Sequence, residues 1–482
     1  MKEERTQPKP RFPKDYKVDT TKLAAGRYGT FEMVDIWGDE KTFEYSLYVQ
    51  GEAARTLAKL YPDIVSVDLA EEIAEKASLR HIDPDRIREL EEKGSHDVIA
   101  INTSLEEKVS PEAGSHINKA KTSADTTQPA RAIQLKLSLC VIADSVENLR
   151  DILIDKSSLW IDKPHMDETH GYDALPTVAG RPFAHYAEML QSGLDVLRFV
   201  YEHSVIGKWG DATGNHHSAL ALGIDGIKLQ EEYCKKLGIG FMDAATQLPG
   251  LEFEADIAYV MSRLGETMNN IAKYIAWGRS DDVNIFINAA PQKKKGSSAM
   301  PHKDAKNGNP TEEEQFMSAR NYLAGNLVTA LMNCEMPYAR NLAASANSRI
   351  NLEDGFKFTD HAIRRLANIA YWIELREERA KERVLRSYGI VTAQLVMTYL
   401  TDHRKVKDPL TRNQAHDLMG ELATCAWNSR TAFIDVLLTN EQVTGRLNET
   451  TLREITDPLK YIGQSKEIVR LIADKYHHKK TL

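Results

Sequence analysis

Cysteine is scarce and dispersed. Cys140, Cys234, Cys334 and Cys425 form no CxxC pair and no cluster with histidine, which excludes a disulfide framework or a cysteine-based zinc site and fits a reduced, cytosolic interior. Charge of one sign is not in large excess. The 62 basic and 70 acidic residues leave a net −8 on 482 residues, which argues against a general nucleic-acid or anionic-membrane surface and confines any phosphate recognition to a local pocket. Long apolar runs are missing too. Met1 to Lys14 is polar, lacks the apolar core of a secretory signal and reads as a loosely held arm, and no later stretch offers the ~18 uninterrupted apolar residues of a membrane span. Alternating β-branched runs are few, so strands should be confined to short hairpins, one of them near Gly207 to Asn215. Neither a repeat of roughly 20 to 50 residues nor a low-complexity tract is present, which excludes a solenoid.

What the chain does contain is apolar stripes at helical spacing. The clearest is Ile257, Val260, Met261, Leu264, Met268, Ile271 and Ile275. The same period gives Ile133, Leu137, Cys140, Val141 and Leu149; Tyr186, Leu190, Leu194, Leu197 and Val200; Phe316, Leu323, Leu327 and Leu331; and Ile363, Leu366, Ile369 and Ile373. Helices of about 25 to 30 residues span roughly 40 Å and bury such stripes only against equally long helices. The expected fold is therefore all-α: a central long-helix bundle over residues 119–374, a helical head over 1–118 and a helical tail over 375–482. The bundle's apolar faces leave room for self-association.

Between two of the long helices lies Gly296-Ser297-Ser298-Ala299-Met300-Pro301-His302-Lys303, preceded by Lys293, Lys294 and Lys295 and followed by Asn309-Pro310 and Glu312-Glu313-Glu314. Glycine and small hydroxyl residues let backbone approach a ligand, and N–H groups beside lysines hold a carboxylate or an oxyanion. A second segment, Thr169-His170-Gly171 with Ala174, Pro176 and Thr177, offers a histidine, whose unperturbed pKa of about 6.5 suits proton transfer near neutrality. His216-His217 reads as a solvated turn, and there is neither a metal-ligand cluster nor a P-loop.

GSSAMPHK resembles the signature loop of the fumarase/aspartase superfamily, GSSxMPxKxNP, and the long helices on both sides of it are what that fold requires. Within the superfamily the chain looks most like the adenylosuccinate lyases. THGxxAxPT resembles their histidine motif, and Arg27-Tyr28 through Glu32-Met33 to Ile36-Trp37 resembles their RYxxxEMxxIW opening. His96-Asp97-Val98 is similar to their HDV segment, Thr122-Ser123 with Asp125 to TSxD, Thr246-Gln247 to TQ, Arg340 through Ser345 to Arg349 to RDxxxSxxxR, and Asp457-Pro458 with Tyr461 and Gly463 to DPxxYxG.

The resemblance implies β-elimination of fumarate from a succinyl-amine. Ser298 would be the base, His170 the acid that protonates the departing nitrogen, Glu314 the group that orients the histidine, and Lys303 the cation that makes the serine basic. Substrate would be held by Arg27, Tyr28, His96, Asp97, Thr122, Ser123, Gln247, Ser297, Met300, Asn309, Arg340, Ser345 and Arg349. The resemblance further implies a homotetramer with each site assembled from three subunits, a small-molecule nucleotide substrate, and neither metal nor organic cofactor. The chain departs from the family at Glu168, Asp173, Leu248 to Phe253, Ala343, Ala344 and the longer Asp304 to Gly308 spacing. The alternative these departures leave is a superfamily lyase acting on a different succinyl-amine.

Overall fold

A computed structural model describes residues 28–291, 299–305, 308–338 and 340–482. Of the expected catalytic and substrate-binding residues, Arg27, Ser297 and Ser298 lie outside that set, as do Lys293 to Gly296 of the loop.

The chain enters through a short helix, α1 (Phe31–Ile36), and a longer one, α2 (Asp39–Leu60), followed after shorter helices by α3 (Asp97–Glu106). The bundle then forms from α4 (Ala124–Leu159), α5 (Arg181–His203), α6 (Glu252–Arg279), α7 (Thr311–Asn333) and α8 (Ser345–Trp372). Each of the five expected stripes falls within one of these helices, apart from Ile373, which lies just past the end of α8. At 28 residues, α6 spans about 42 Å. It packs along α5, α7 and α8, while α4 packs along α5 and α8. Where α5 meets α6, a Cβ on Gly193 would stand 2.7 Å from Leu264 Cδ2, so the leucine tip occupies the space the glycine leaves.

The α6 stripe is fully buried. On α4 the inward residues are Leu135, Leu139, Ile142, Val146, Leu149 and Leu153, whereas Leu137 is exposed; on α7 Leu323 is buried but Val328, Leu331 and Met332 are exposed. These helices carry apolar residues on more than one face, so periodicity alone selects the wrong stripe where two compete.

The expected hairpin near Gly207 to Asn215 is not there. Ile206–Gly207 pairs in parallel with Gly240–Phe241, and the residues after it form a turn in which a Cβ on Gly214 would meet the Ala245 carbonyl oxygen at 1.9 Å. The hairpin of note is instead β1 (Pro164–Thr169) with β2 (Tyr172–Val178), antiparallel and bulged between Met166 and Glu168. Its turn is His170-Gly171 between the paired residues Thr169 and Tyr172, with φ of 55° and 80°. Positive φ at both central positions gives the twist that a two-residue hairpin requires. A further short pair, β3 (Phe286–Asn288) with β4 (Ile373–Leu375), ties the end of α8 to the loop after α6, and α9 (Glu377–Leu385) follows and packs on β1.

Buried apolar side chains fall into two clusters. One runs through the bundle and takes in Val469, Ile472 and Tyr476 of the last helix; the other joins residues between Val396 and Ile455. Among the described residues no helix is long and apolar enough to cross a membrane.

Candidate active site

A cleft of about 230 Å³ opens where the N-terminal ends of α6 and α8 meet α2, α3 and the first turns of α4. Its floor is a buried three-helix junction. Arg131 of α4 donates Nε to Glu254 Oε1 at 2.7 Å and Nη2 to the Ser348 carbonyl and hydroxyl oxygens at 3.0 and 3.2 Å, while Ser348 Oγ donates to Glu254 Oε2 at 2.6 Å. The guanidinium also lies 5.7 Å from the Trp37 ring centroid. With both carboxylate oxygens occupied and the ion pair largely withdrawn from water, this junction fixes three helix ends relative to one another.

Above the floor stand Arg340, Ser345 and Arg349. Arg340 Nη1 donates to Gln247 Oε1 at 2.7 Å, and its Nε is buried without a hydrogen-bond partner. Burial, and secondarily the nearby Arg349 charge, lower the Arg340 guanidinium from its ordinary value. Among the described residues neither arginine is paired with a carboxylate. Two neighbouring cations, one with an idle buried donor, are relieved by an anion between them. Ser345 opens α8, whose N-cap Ala344 gives no side-chain bond. Trp37, Leu248 and Leu251 add apolar surface, and Asp39, Asp97, Glu335 and Glu353 also line the cleft.

The other expected residues are placed as follows. His96 caps α3, its Nδ1 accepting from Val98 N at 3.3 Å, and stands 2.6 Å from Asp97 Oδ1; Asp97 lines the cleft and His96 does not. Thr122 and Ser123 precede α4, a turn before the cleft residues Thr127 and Gln128. Asp125 is the hub of that corner: Oδ1 accepts from Gly210 N at 2.9 Å and from Lys208 Nζ, and Oδ2 accepts from Thr122 N at 2.8 Å and Asp211 N at 2.9 Å. Beside it Lys121 donates to Gln50 Oε1 at 3.0 Å and lies 5.4 Å from the Trp209 ring, and burial pushes its ammonium down to about 7. Tyr28 is outside the cleft, its ring stacked on Phe358 and edge-on to His361, more than two turns along α8 from Arg349.

The described candidates for the chemistry, His170, Lys303 and Glu314, stand apart from the cleft within one chain. No residue of the β1–β2 hairpin, and none between Met300 and Glu314, lines it. Lys303 Nζ donates to Asn309 Oδ1 at 3.1 Å inside the signature loop, and Met300 is exposed. Of the three consecutive glutamates at the start of α7, Glu313 is buried against Arg279 and Glu312 lies 3.3 Å from Arg365, while Glu314 is exposed. His170 is exposed at the hairpin tip. Trp37, Arg131, Glu254 and Ser348 escaped the sequence reading as cleft residues.

Residues 26–321 match the lyase family, and residues 389–472 match the adenylosuccinate lyase C-terminus. The chain belongs to this lyase superfamily, the fumarase/aspartase group. Relatives of the lyase include adenylosuccinate lyase of Methanocaldococcus jannaschii, 27% identical over 94% of this chain and 96% of that protein, and adenylosuccinate lyase of Pyrococcus abyssi, 26% identical over 93% and 96%. A fumarate lyase structure from Mesorhizobium sp. BNC1 superposes with a TM-score of 0.79 at 20% identity, covering 93% of this chain and 98% of that one, which supports the fold. The lyase is thus adenylosuccinate lyase-like in sequence along nearly its whole length.

Proposed function

We propose that the protein is a homotetrameric, cytosolic adenylosuccinate lyase that releases fumarate from adenylosuccinate to give AMP, and from the succinylated aminoimidazole carboxamide ribotide of purine biosynthesis. The observation that carries this reading is the cleft in which Arg340 and Arg349, free of carboxylate partners among the described residues, meet Ser345 at a helix N-terminus. That arrangement suits the ribotide phosphate common to both substrates, and Trp37, Leu248 and Leu251 offer apolar surface to a base.

In this reading Ser298, made basic by the cationic loop, takes the proton from the carbon next to one carboxylate, and the electron pair moves into that carboxylate as a dianionic aci-form. The pair then returns to form the carbon–carbon double bond, the C–N bond breaks, and His170 protonates the leaving nitrogen. Stabilising the aci-carboxylate is the larger part of such a barrier, which is the role assigned to Lys303 and the loop N–H groups. The exposed apolar residues of α7 and the exposed His170 support assembly, since neither has a use in a solitary chain.

The test is ultraviolet absorbance of purified protein with adenylosuccinate and with the ribotide analogue. Release of fumarate from both is expected, with His170→Ala and Ser298→Ala each slower by at least about 10²-fold. Fumarate release only from other succinyl-amines would replace this reading with a sister lyase of different specificity, and full activity in both variants would reject the roles.

A further inference from the structure

The hairpin that carries His170 holds two carboxylates just behind its tip. Glu168 and Asp173 face each other across the strands, one pair in from Thr169 and Tyr172. Like charges directly opposite on a two-stranded ribbon repel, and an isolated ribbon of this size is marginal in water. Both acids are answered from α9. Arg383, 3% exposed, gives the same Nη2 to Glu168 Oε1 and, at 3.2 Å, to Asp173 Oδ1, so one guanidinium bridges the two strands. Arg386, one turn on, gives Nε and Nη2 to Asp173 Oδ2 at 2.9 and 2.7 Å. Behind the bridge, the Arg383 guanidinium carbon lies 5.1 Å from the Trp277 ring centroid, and its Nε and Nη1 have no hydrogen-bond partner. A buried cation with two idle donors is kept for what its remaining nitrogen does.

The geometry points to Arg383 as a positioning residue for the proton donor: it locks the two strands at the Glu168–Asp173 rung and so aims His170 at the leaving nitrogen. The inference rests on His170 being the acid. It does not need Arg383 to touch substrate. Acid catalysis falls steeply with misplacement, an ångström costing about 10²-fold, whereas the binding cleft contains no hairpin residue and should keep its affinity.

The experiment is a double-mutant cycle in the tetramer, with kcat and KM measured for Arg383→Gln, Arg383→Lys, Asp173→Asn, His170→Ala and the His170→Ala pairs with each. Arg383→Gln should lower kcat by about 10- to 10²-fold with KM within about threefold, and Arg383→Lys should recover part of the loss. In the His170→Ala background the same change should cost no more than about twofold, because there is no acid left to aim. Should Arg383→Gln fail to assemble, the partly buried Asp173→Asn carries the test, with a smaller kcat loss that again vanishes without His170. An equal loss in both backgrounds, or KM rising in step with the fall in kcat, overturns the inference. Wild-type turnover in His170→Ala would instead remove the acid assignment itself, a result distinct from failure of the clamp.

Discussion

The cleft around Arg340 and the hairpin carrying His170 solve opposite problems. The cleft is assembled inside one chain from five helices, and its floor residues Arg131, Glu254 and Ser348 are held by four mutual hydrogen bonds before any substrate arrives. The hairpin is two strands with an exposed tip, fixed from behind at one rung by Arg383 and Arg386. The cleft proposed to take the phosphate is thus lined from within one chain. His170, proposed to protonate the leaving nitrogen, is presented outward at the tip. In the proposed assembly, binding energy from the remote phosphate would be available to align a reacting centre completed by a different subunit.

The largest expected effect breaks or upholds that division directly. Ser298→Ala and His170→Ala should each lose more than about 10²-fold in turnover. When the two inactive proteins are mixed and allowed to exchange subunits, about a quarter of wild-type activity should return, because sites drawing serine from one chain and histidine from another are then intact in that fraction. Recovery of nothing, in tetramers shown by mass spectrometry to be mixed, would mean that each chain supplies both groups to the same site and that the contrast is false.

Next in size is the cleft itself. Arg349→Ala should cost about 2 to 3 kcal/mol in kcat/KM, borne mostly by KM, for loss of a charge-assisted contact. The loss should be the same for adenylosuccinate and the ribotide analogue, since they share the phosphate. A fall in kcat alone would place Arg349 with the reacting atoms and not with binding.

The hairpin's base should respond to acid. His165 is buried, 3.2 Å from Tyr274 Oη, and desolvation, with the Arg383 charge adding to it and Asp173 opposing, pushes its imidazole down to about 4. The unfolded chain binds that proton near 6.5, so the stability from neutral His165 is present above about 6.5 and is lost as pH falls toward about 4. Between pH 7 and 5 the loss is about 2 kcal/mol. Thermal melts of wild type and His165→Gln over that range should converge as pH falls; parallel curves would show that the imidazole is not buried neutral.

Much of this was legible beforehand and some was not, for identifiable reasons. A single strong stripe, as on α6, both located the helix and named its buried face. On α4 the period found the helix but chose Leu137, exposed, over Leu135 and Leu139, because apolar residues on more than one face leave the period without a clear preference. The hairpin was sought at glycines near 207 when its signal was the His170-Gly171 pair; Pro164–Thr169 has one β-branched residue and no alternation to reveal a strand. The cleft's Arg340, Ser345 and Arg349 were picked out by their resemblance to a family motif. The cleft's floor was not, since Arg131 meets partners 123 and 217 residues away, and nothing local encodes such a meeting.

The smallest expected effect runs against the usual direction and sharpens the contrast most. His170 takes φ of 55° at the first centre of a two-residue turn, a conformation that asparagine before glycine adopts more readily than histidine. His170→Asn should therefore be as inactive as the alanine variant, yet equal or exceed wild type in stability, by up to about 1 kcal/mol in a melt. In the cleft the reverse holds. Ser348→Ala removes the hydroxyl that donates to Glu254 and so should lower stability and substrate affinity together. A hairpin tip that gains stability by losing its histidine is one whose residue was set by chemistry and not by the turn, whereas a His170→Asn protein that melts earlier would assign the imidazole a structural contact and weaken its claim as the acid.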